Sequence, residues 1–308
     1  VHLCREHLQT SRGKVRAVLV NARNANCATG AQGIAEARRC CAALAQKLGC
    51  PTEQVLMAST GPIGAPLPTE RILGHLDPLL DATHRDGAMA FARAIMTTDT
   101  YPKAVHQHAA EGSVTGFAKG SGMIHPNMAT MLGFLLTDGH VDGPATAGLL
   151  RRVADRSFHR TTVDGDTSPN DTLLLLASGT NHGSTTSLEQ LLTRTSQTLA
   201  RTIAADGEGA TRLVTVQVRG ARDEAEATAV GRVVATSPLV KTAVAGRDPN
   251  WGRILSAAGR AGVQFPATRA RVWVGSADVY SNGCPHPENE PLAHRHLVDD
   301  VEIVLGID

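Results

Sequence analysis

Short apolar runs alternate with helix-patterned stretches along all 308 residues, and this restricts the chain more than any other feature, because strands spaced by helices favour layered α/β architectures. Residues 15–21 read as a largely buried strand that leads into a polar loop over 24–30. Ile34, Ala37, Cys41, Leu44, Ala45 and Leu48 then recur at helical spacing, with Gly49 as the stop. Residues 54–58 form a short apolar strand whose end delivers the turn Ser59-Thr60-Gly61. Residues 132–136 and 171–177 read as buried strands, with a mixed helical pattern over 149–158 between them. Ser187 and Gln190 have the spacing of a capping box, ahead of Leu188, Leu191, Leu192, Thr195, Leu199 and Ile203 on one helical face. Val214, Val216 and Val218 alternate as a half-buried strand, and residues 270–274 and 300–305 are strand-like. No repeat, low-complexity tract or long linker interrupts the pattern, so the expectation is one compact α/β unit over residues 1–308.

Composition narrows the function classes. A formal net charge of +1 without a basic run argues against a nucleic-acid or anionic-membrane surface. No apolar stretch is long enough to span a bilayer, and the first residues lack the charged-then-apolar layout of a secretory signal, so a cytoplasmic location is expected. The six cysteines (Cys4, Cys27, Cys40, Cys41, Cys50, Cys284) contain no Cys-x-x-Cys pair and read as buried reduced thiols. Asp164, Asp166 and Asp171 lack calcium-loop spacing and read as turn and cap residues, so no metal site is expected. The basic residues are unevenly chosen: five lysines (Lys14, Lys47, Lys103, Lys119, Lys241) stand among thirty basic residues. A lysine kept in an arginine-preferring chain suggests a need for a compact, rotatable ammonium.

The run from Gly116 to Leu132 carries the chemistry. It sets Ala129 and Thr130 behind a glycine-rich bend with Gly116, Gly120 and Gly122. If the Ala129–Thr130 peptide is held strained, the Thr130 hydroxyl can attack the preceding carbonyl, and hydrolysis of the ester frees Thr130 as a new N-terminus. Its α-amine, with an unperturbed pKa of about 7.7–8.0, can then take the proton of its own hydroxyl. By itself this spacing is weak, since a threonine after an apolar turn is usually ordinary packing. Other templates fail: there is no Gly-x-Ser-x-Gly elbow, and Gly116 to Gly122 has neither phosphate-loop nor dinucleotide spacing. His125 beside the bend reads as structural.

Seven segments stand together in order: Asn24-Ala25-Asn26, Ala58 to Gly61, Ile95 to Thr100, the Lys119 to Leu132 run, Val163 to Ser168, Asp206 to Thr211, and Leu239 to Ala243 followed by Asn250-Trp251-Gly252-Arg253. In this the chain resembles the ornithine acetyltransferase family, also called glutamate N-acetyltransferase, of arginine biosynthesis. The resemblance implies a layered αββα-type sandwich of the self-cleaving ornithine acetyltransferase/aminopeptidase class, cut between Ala129 and Thr130 into 1–129 and 130–308. It implies that Thr130 is the nucleophile, that Thr60 and Gly61 form the oxyanion hole, and that Thr97, Lys119, Thr130 and Glu208 contact substrate. The implied reaction is ping-pong transfer of acetyl from N-acetylornithine to glutamate through acetyl-Thr130. No cofactor is implied, acetyl-CoA being at most a co-substrate, and the implied assembly is an oligomer of two α and two β fragments. The family's N-terminal lead-in and C-terminal tail have no counterpart here, so substrate contacts made by the tail are not carried over. Two other readings stay open: a self-cleaving aminopeptidase or amidohydrolase of related fold, which usually has serine where Thr130 stands, and a non-catalytic binding protein.

Overall fold

A computed structural model describes residues 1–110, 112–125 and 131–308. Ala129 and Thr130, the expected cleavage site and nucleophile, lie outside the described residues. The chain divides into two compact units, Val1–Glu208 and Gly209–Asp308, and no linker in the sequence marks that boundary.

The first unit opens with α1 (His2–Thr10), β1 (Ala17–Ala22), α2 (Gly30–Leu48) and β2 (Val55–Thr60). Helix α2 buries Ala37, Cys40, Cys41, Leu44 and Ala45, and it stops at Gly49, whose φ of 62° is left-handed and cheap only for glycine. Ile34 departs from the expected face and is 43% exposed. Strands β1 and β2 pair in parallel, Ala17 opposite Val55 and Ala22 opposite Thr60. Three short helices follow, α3 (Thr69–Gly74), α4 (Leu76–Asp81) and α5 (Ala88–Ala94). A sheet of β3 (Lys103–Ala109), β4 (Gly112–Lys119), β5 (Leu132–Gly139) and β6 (Thr172–Asn181) comes next, in the order β3-β4-β5-β6. Its first two pairings are antiparallel; β5 and β6 pair in parallel, their crossover supplied by α6 (Gly143–Asp155). The unit ends with α7 (Thr185–Ala205).

Strand periodicity sorts the side chains into layers. Val55 and Met57 of β2 face α2 with Leu19 and Leu44, while Leu56 and Ala58 face the other way. There they meet Phe117, Leu132, Phe134 and Leu174 of the larger sheet, and Phe91 of α5 sits edge-on to Phe117 and Phe134 with ring centroids 5.2 Å apart in each pair. The far face of that sheet, with Val114, Ala118, Leu135 and Leu173, packs on α6 and α7 through Leu149, Leu192 and Leu199. Helix, sheet, sheet, helix is therefore the order of layers in the first unit, the αββα sandwich expected.

Several local expectations change. The supposed glycine-rich bend is mostly strand: residues 116–119 belong to β4, and the turn begins only at Gly120, whose φ is 145°. Gly116 is glycine for packing, because an added Cβ would lie 2.7 Å from Leu199 Cδ1 and 2.9 Å from Thr195 Cγ2 of α7. Ser187 is not a cap, since α7 starts at Thr185 with Ser184 at its N-cap; the apolar face behind it, Leu188 to Ile203, is buried as read. Cys4, Cys40 and Cys41 are buried thiols, whereas Cys27 and Cys50 are partly exposed and Cys284 is exposed.

The second unit comprises β7 (Leu213–Val218), α8 (Glu224–Thr236), α9 (Pro238–Ala245), α10 (Trp251–Ala258), β8 (Val272–Val274), β9 (Ala277–Ser281), β10 (Cys284–Pro285), α11 (Glu290–Asp299) and β11 (Glu302–Ile307). Its sheet runs β10-β9-β8-β11-β7 over its own core of Val234, Ile254, Val272, Leu297, Ile303 and others. Residues 270 and 271 precede β8, so the strand expected over 270–274 is shorter than read.

Candidate active site

The two sheets of the first unit face each other, and residues at the ends of β2 and β4 share the space between them. Thr60 follows Leu56 and Ala58 at period two and so points inward from β2; Lys119 follows Phe117 in the same way from β4. They meet: Lys119 Nζ donates to Thr60 Oγ1 at 2.9 Å, and each residue is 1% exposed. Burial pushes the Lys119 ammonium below the usual lysine value, with Asp99, Asp171 and Glu208 drawing it back and Lys103 adding to the fall. A surface ion pair, the plain alternative for this lysine, is thereby ruled out.

Gly61 continues the chain at φ 137°, and an added Cβ would stand 2.5 Å from the Arg23 carbonyl carbon and the Asn24 nitrogen. Only glycine lets the backbone run this close to the 23–26 loop. That loop is itself tied down: Asn24 N donates to Thr60 O at 2.9 Å, and its side chain donates to Ala65 O and Pro66 O at 3.0 Å each. The Asn24-Ala25-Asn26 motif is thus a brace for the Thr60–Gly61 turn.

Thr97 and Glu208 reach the same place from other elements. Thr97 N donates to Asp99 Oδ2 at 3.1 Å, while Asp99 Oδ1 accepts from Gly120 N at 2.7 Å, next to Lys119. Glu208 N donates to Ser121 O at 2.7 Å, and the exposed Glu208 carboxyl lies over Gly122, where an added Cβ would be 2.6 Å from its carboxyl carbon. Thr98 Oγ1 and Ser121 Oγ share a hydrogen bond of 2.6 Å. Thr60, Gly61, Thr97, Lys119 and Glu208 therefore belong to one connected region of the first unit.

Thr130 is outside the described residues, but its neighbour in sequence is placed: Met131 N donates to Asp171 Oδ1 at 3.0 Å, and Leu132 is the β-ladder partner of Lys119. Asp171 is 8% exposed, its Oδ2 is buried with no partner among the described residues, and desolvation raises its carboxyl to about 8 against the pull of the Met131 N–H and Lys119. Asp171 was read from sequence as a turn residue, and its placement beside Met131 corrects that. Asp164 does play the turn role, accepting from Met123 N, Ile124 N and Asp166 N. His125 Nδ1 is within 3.2 Å of Thr162 Oγ1, in keeping with the local role read for it.

Sequence reasoning missed Asp99, Lys103 and Asp206 as a group. Lys103 Nζ lies 2.6 Å from Asp99 Oδ1 and 2.6 Å from Asp206 Oδ2, all three residues being buried. Desolvation would push the Asp99 carboxyl up; the Gly120 N–H, the Lys103 ammonium and the Thr97 N–H outweigh it and hold Asp99 below the usual carboxylate range. The signal available was the scarcity of lysine.

The last sequence motifs belong to the second unit and explain one another. Asn250 caps α10, accepting from Arg253 N at 3.2 Å, and Arg253 Nη1 donates to Leu239 O and Thr242 Oγ1 at 3.0 Å each. Two separated motifs are one structural clasp between α9 and α10.

Facing sheets between helices, with a hydroxyl, a glycine turn and a desolvated lysine gathered at strand ends, define a layered α/β protein of enzyme type. The chain belongs to the ArgJ family, which it matches over residues 1–308. It is 46% identical over 315 residues to the arginine biosynthesis bifunctional protein ArgJ of Parasynechococcus marenigrum, covering 99% of this chain and 77% of that one. The protein of the same name from Thermus thermophilus is 45% identical over 302 residues, 97% of this chain and 78% of its own. Among solved structures, the arginine biosynthesis bifunctional protein argJ of Bacillus halodurans aligns with a TM-score of 0.56 at 35% identity, covering 58% of this chain and 87% of that one.

Proposed function

We propose that this chain is an acetyltransferase of arginine biosynthesis that moves acetyl from N-acetylornithine to glutamate through an acetyl ester on Thr130, freed by cleavage of the Ala129–Thr130 bond. The contact between Lys119 Nζ and Thr60 Oγ1, beside the turn at Gly61, is the observation that carries the reading. It would polarise the hydroxyl that this reading assigns to the oxyanion hole, and loss of one such donor costs about a hundred- to thousandfold in rate. In the first half-reaction Thr130 Oγ takes the acetyl carbon and the ornithine nitrogen leaves with a proton; in the second the glutamate nitrogen takes the acetyl and Thr130 Oγ recovers its proton. The ester conserves the acyl bond, so this chemistry asks for no cofactor, and acetyl-CoA would enter only as an alternative donor. Glu208 suits the substrate ammonium, and the assembly proposed is one of two α and two β fragments.

Mass spectrometry of the purified protein tests this. Incubation with N-acetylornithine alone is expected to add one acetyl group to the fragment beginning at Thr130, and glutamate is expected to remove it as acetylglutamate. Turnover to free acetate at a rate indifferent to glutamate would instead make the protein a hydrolase, and an uncut chain that binds ligand without acetylation would make it a binding protein.

A further inference from the structure

The buried Asp99, Lys103 and Asp206 are not accounted for by the proposed chemistry, although two of them lie inside sequence motifs. Their side chains are 0%, 0% and 3% exposed. Burying ions is costly unless geometry repays it, and breaking such a group leaves an uncompensated charge. The group joins three segments distant in sequence. Asp99 accepts from Thr97 N at 3.1 Å and from Gly120 N at 2.7 Å. Asp206 accepts from Thr100 N at 3.0 Å and from Thr100 Oγ1. Lys103 bonds both carboxylates at 2.6 Å, and its ammonium lies 5.1 Å from the centre of the Tyr101 ring. One lysine and two aspartates sum to −1, and Lys119, drawn by Asp99, brings the sum of these four groups to zero.

We infer that Asp99, Lys103 and Asp206 act as a positioning clamp that sets the spacing of Thr97 and Glu208 from Lys119, and so sets the affinity for the donor, which carries a carboxylate and a side-chain ammonium. This rests on the function proposed above. Thr97 is two residues before Asp99, Glu208 two residues after Asp206, and Lys119 immediately before Gly120, so the clamp fixes each contact residue through a short stretch of backbone. A carboxylate and an ammonium at fixed separation in the substrate need partners at fixed separation in the site.

Three variants test the clamp: Asp206→Asn, Lys103→Met, and the double variant Lys103→Met/Asp206→Asn, which restores charge balance because Asp99 and Lys119 remain. The expected pattern is a melting temperature that falls most in Lys103→Met and recovers in the double variant, while the KM for N-acetylornithine stays raised at least tenfold and kcat, reached only through Lys119, falls by a smaller factor. Asp206→Asn, the mildest change, is expected to raise KM in the same direction. A double variant with the parent KM would leave only a structural role and overturn the clamp. Hydrogen exchange on intact protein gives a readout independent of turnover: peptides spanning 97–103, 119–122 and 204–208 should speed up together at least tenfold in the double variant. Exchange unchanged at 119–122 and 204–208 would overturn the clamp, whereas a parent without acetyl transfer but with the coupled exchange would sink the function and leave the clamp standing.

Discussion

Lys103 and Lys119 show what a single residue choice can disclose. The chain prefers arginine, yet these two lysines are each 1% exposed and donate to oxygen. Their scarcity was readable in the sequence; their burial was not, because both stand where a polar face would also fit the pattern. Asp171 was still less legible, since nothing local distinguishes a buried aspartate from a turn aspartate. Its raised pKa has a definite sign. The folded state holds a proton that the unfolded chain gives up above about pH 4, so its contribution to stability is complete below that and is lost as pH rises towards about 8. The slope from one such group approaches 1.4 kcal/mol per pH unit at most, by order of magnitude. Asp171→Asn keeps an acceptor for the Met131 N–H and removes the titration. Urea midpoints at pH 5, 6, 7 and 8 are expected to fall less steeply in that variant than in the parent, and parallel curves would show that Asp171 does not titrate in this window.

Among the elements, β4 is the most informative because it was missed. Gly116, Gly120 and Gly122 looked like one flexible run, but Gly116 is the point where α7 lies against the sheet, and only the last two belong to the turn. Spacing of glycines alone does not distinguish close packing from a bend, since both require a missing side chain. Gly116→Val should therefore destabilise by about 1–3 kcal/mol through overpacking against Leu199 and Thr195. Gly74→Ala, where the added carbon meets nothing within 4 Å, should be neutral or stabilising. Denaturant melts of both variants decide this, and equal midpoints would remove the packing explanation. Helices with a strong apolar stripe, α2 and α7, were read with nearly the right faces, whereas the start of α7 was not, because Ser184 and Ser187 are both acceptable caps in sequence.

At the scale of the molecule, the expected cut falls between β4 and β5 in the chain. Residues 1–129 would supply β4 and residues 130–308 would supply β5, and these strands are hydrogen-bonded neighbours from Val114 opposite Thr137 to Lys119 opposite Leu132. Cleavage at Ala129–Thr130 would leave that pairing intact, along with the apolar layers on either side of it. Denaturing electrophoresis is expected to resolve two fragments, while size exclusion without denaturant elutes them together. Fragments that separate in native buffer would contradict a shared sheet.

The sequence by itself determined the α/β class, the buried faces of the long helices and the residue types around the candidate site, because periodicity and ordered motifs are local properties. Tertiary structure decided which of those residues meet. The pairing of Thr60 with Lys119, the convergence of Asp99, Lys103 and Asp206, and the burial of Asp171 each join positions tens to more than a hundred residues apart. Such contacts depend on strand register and on which face of each sheet turns inward, and a one-residue slip in either strand would send Thr60 or Lys119 to the opposite face.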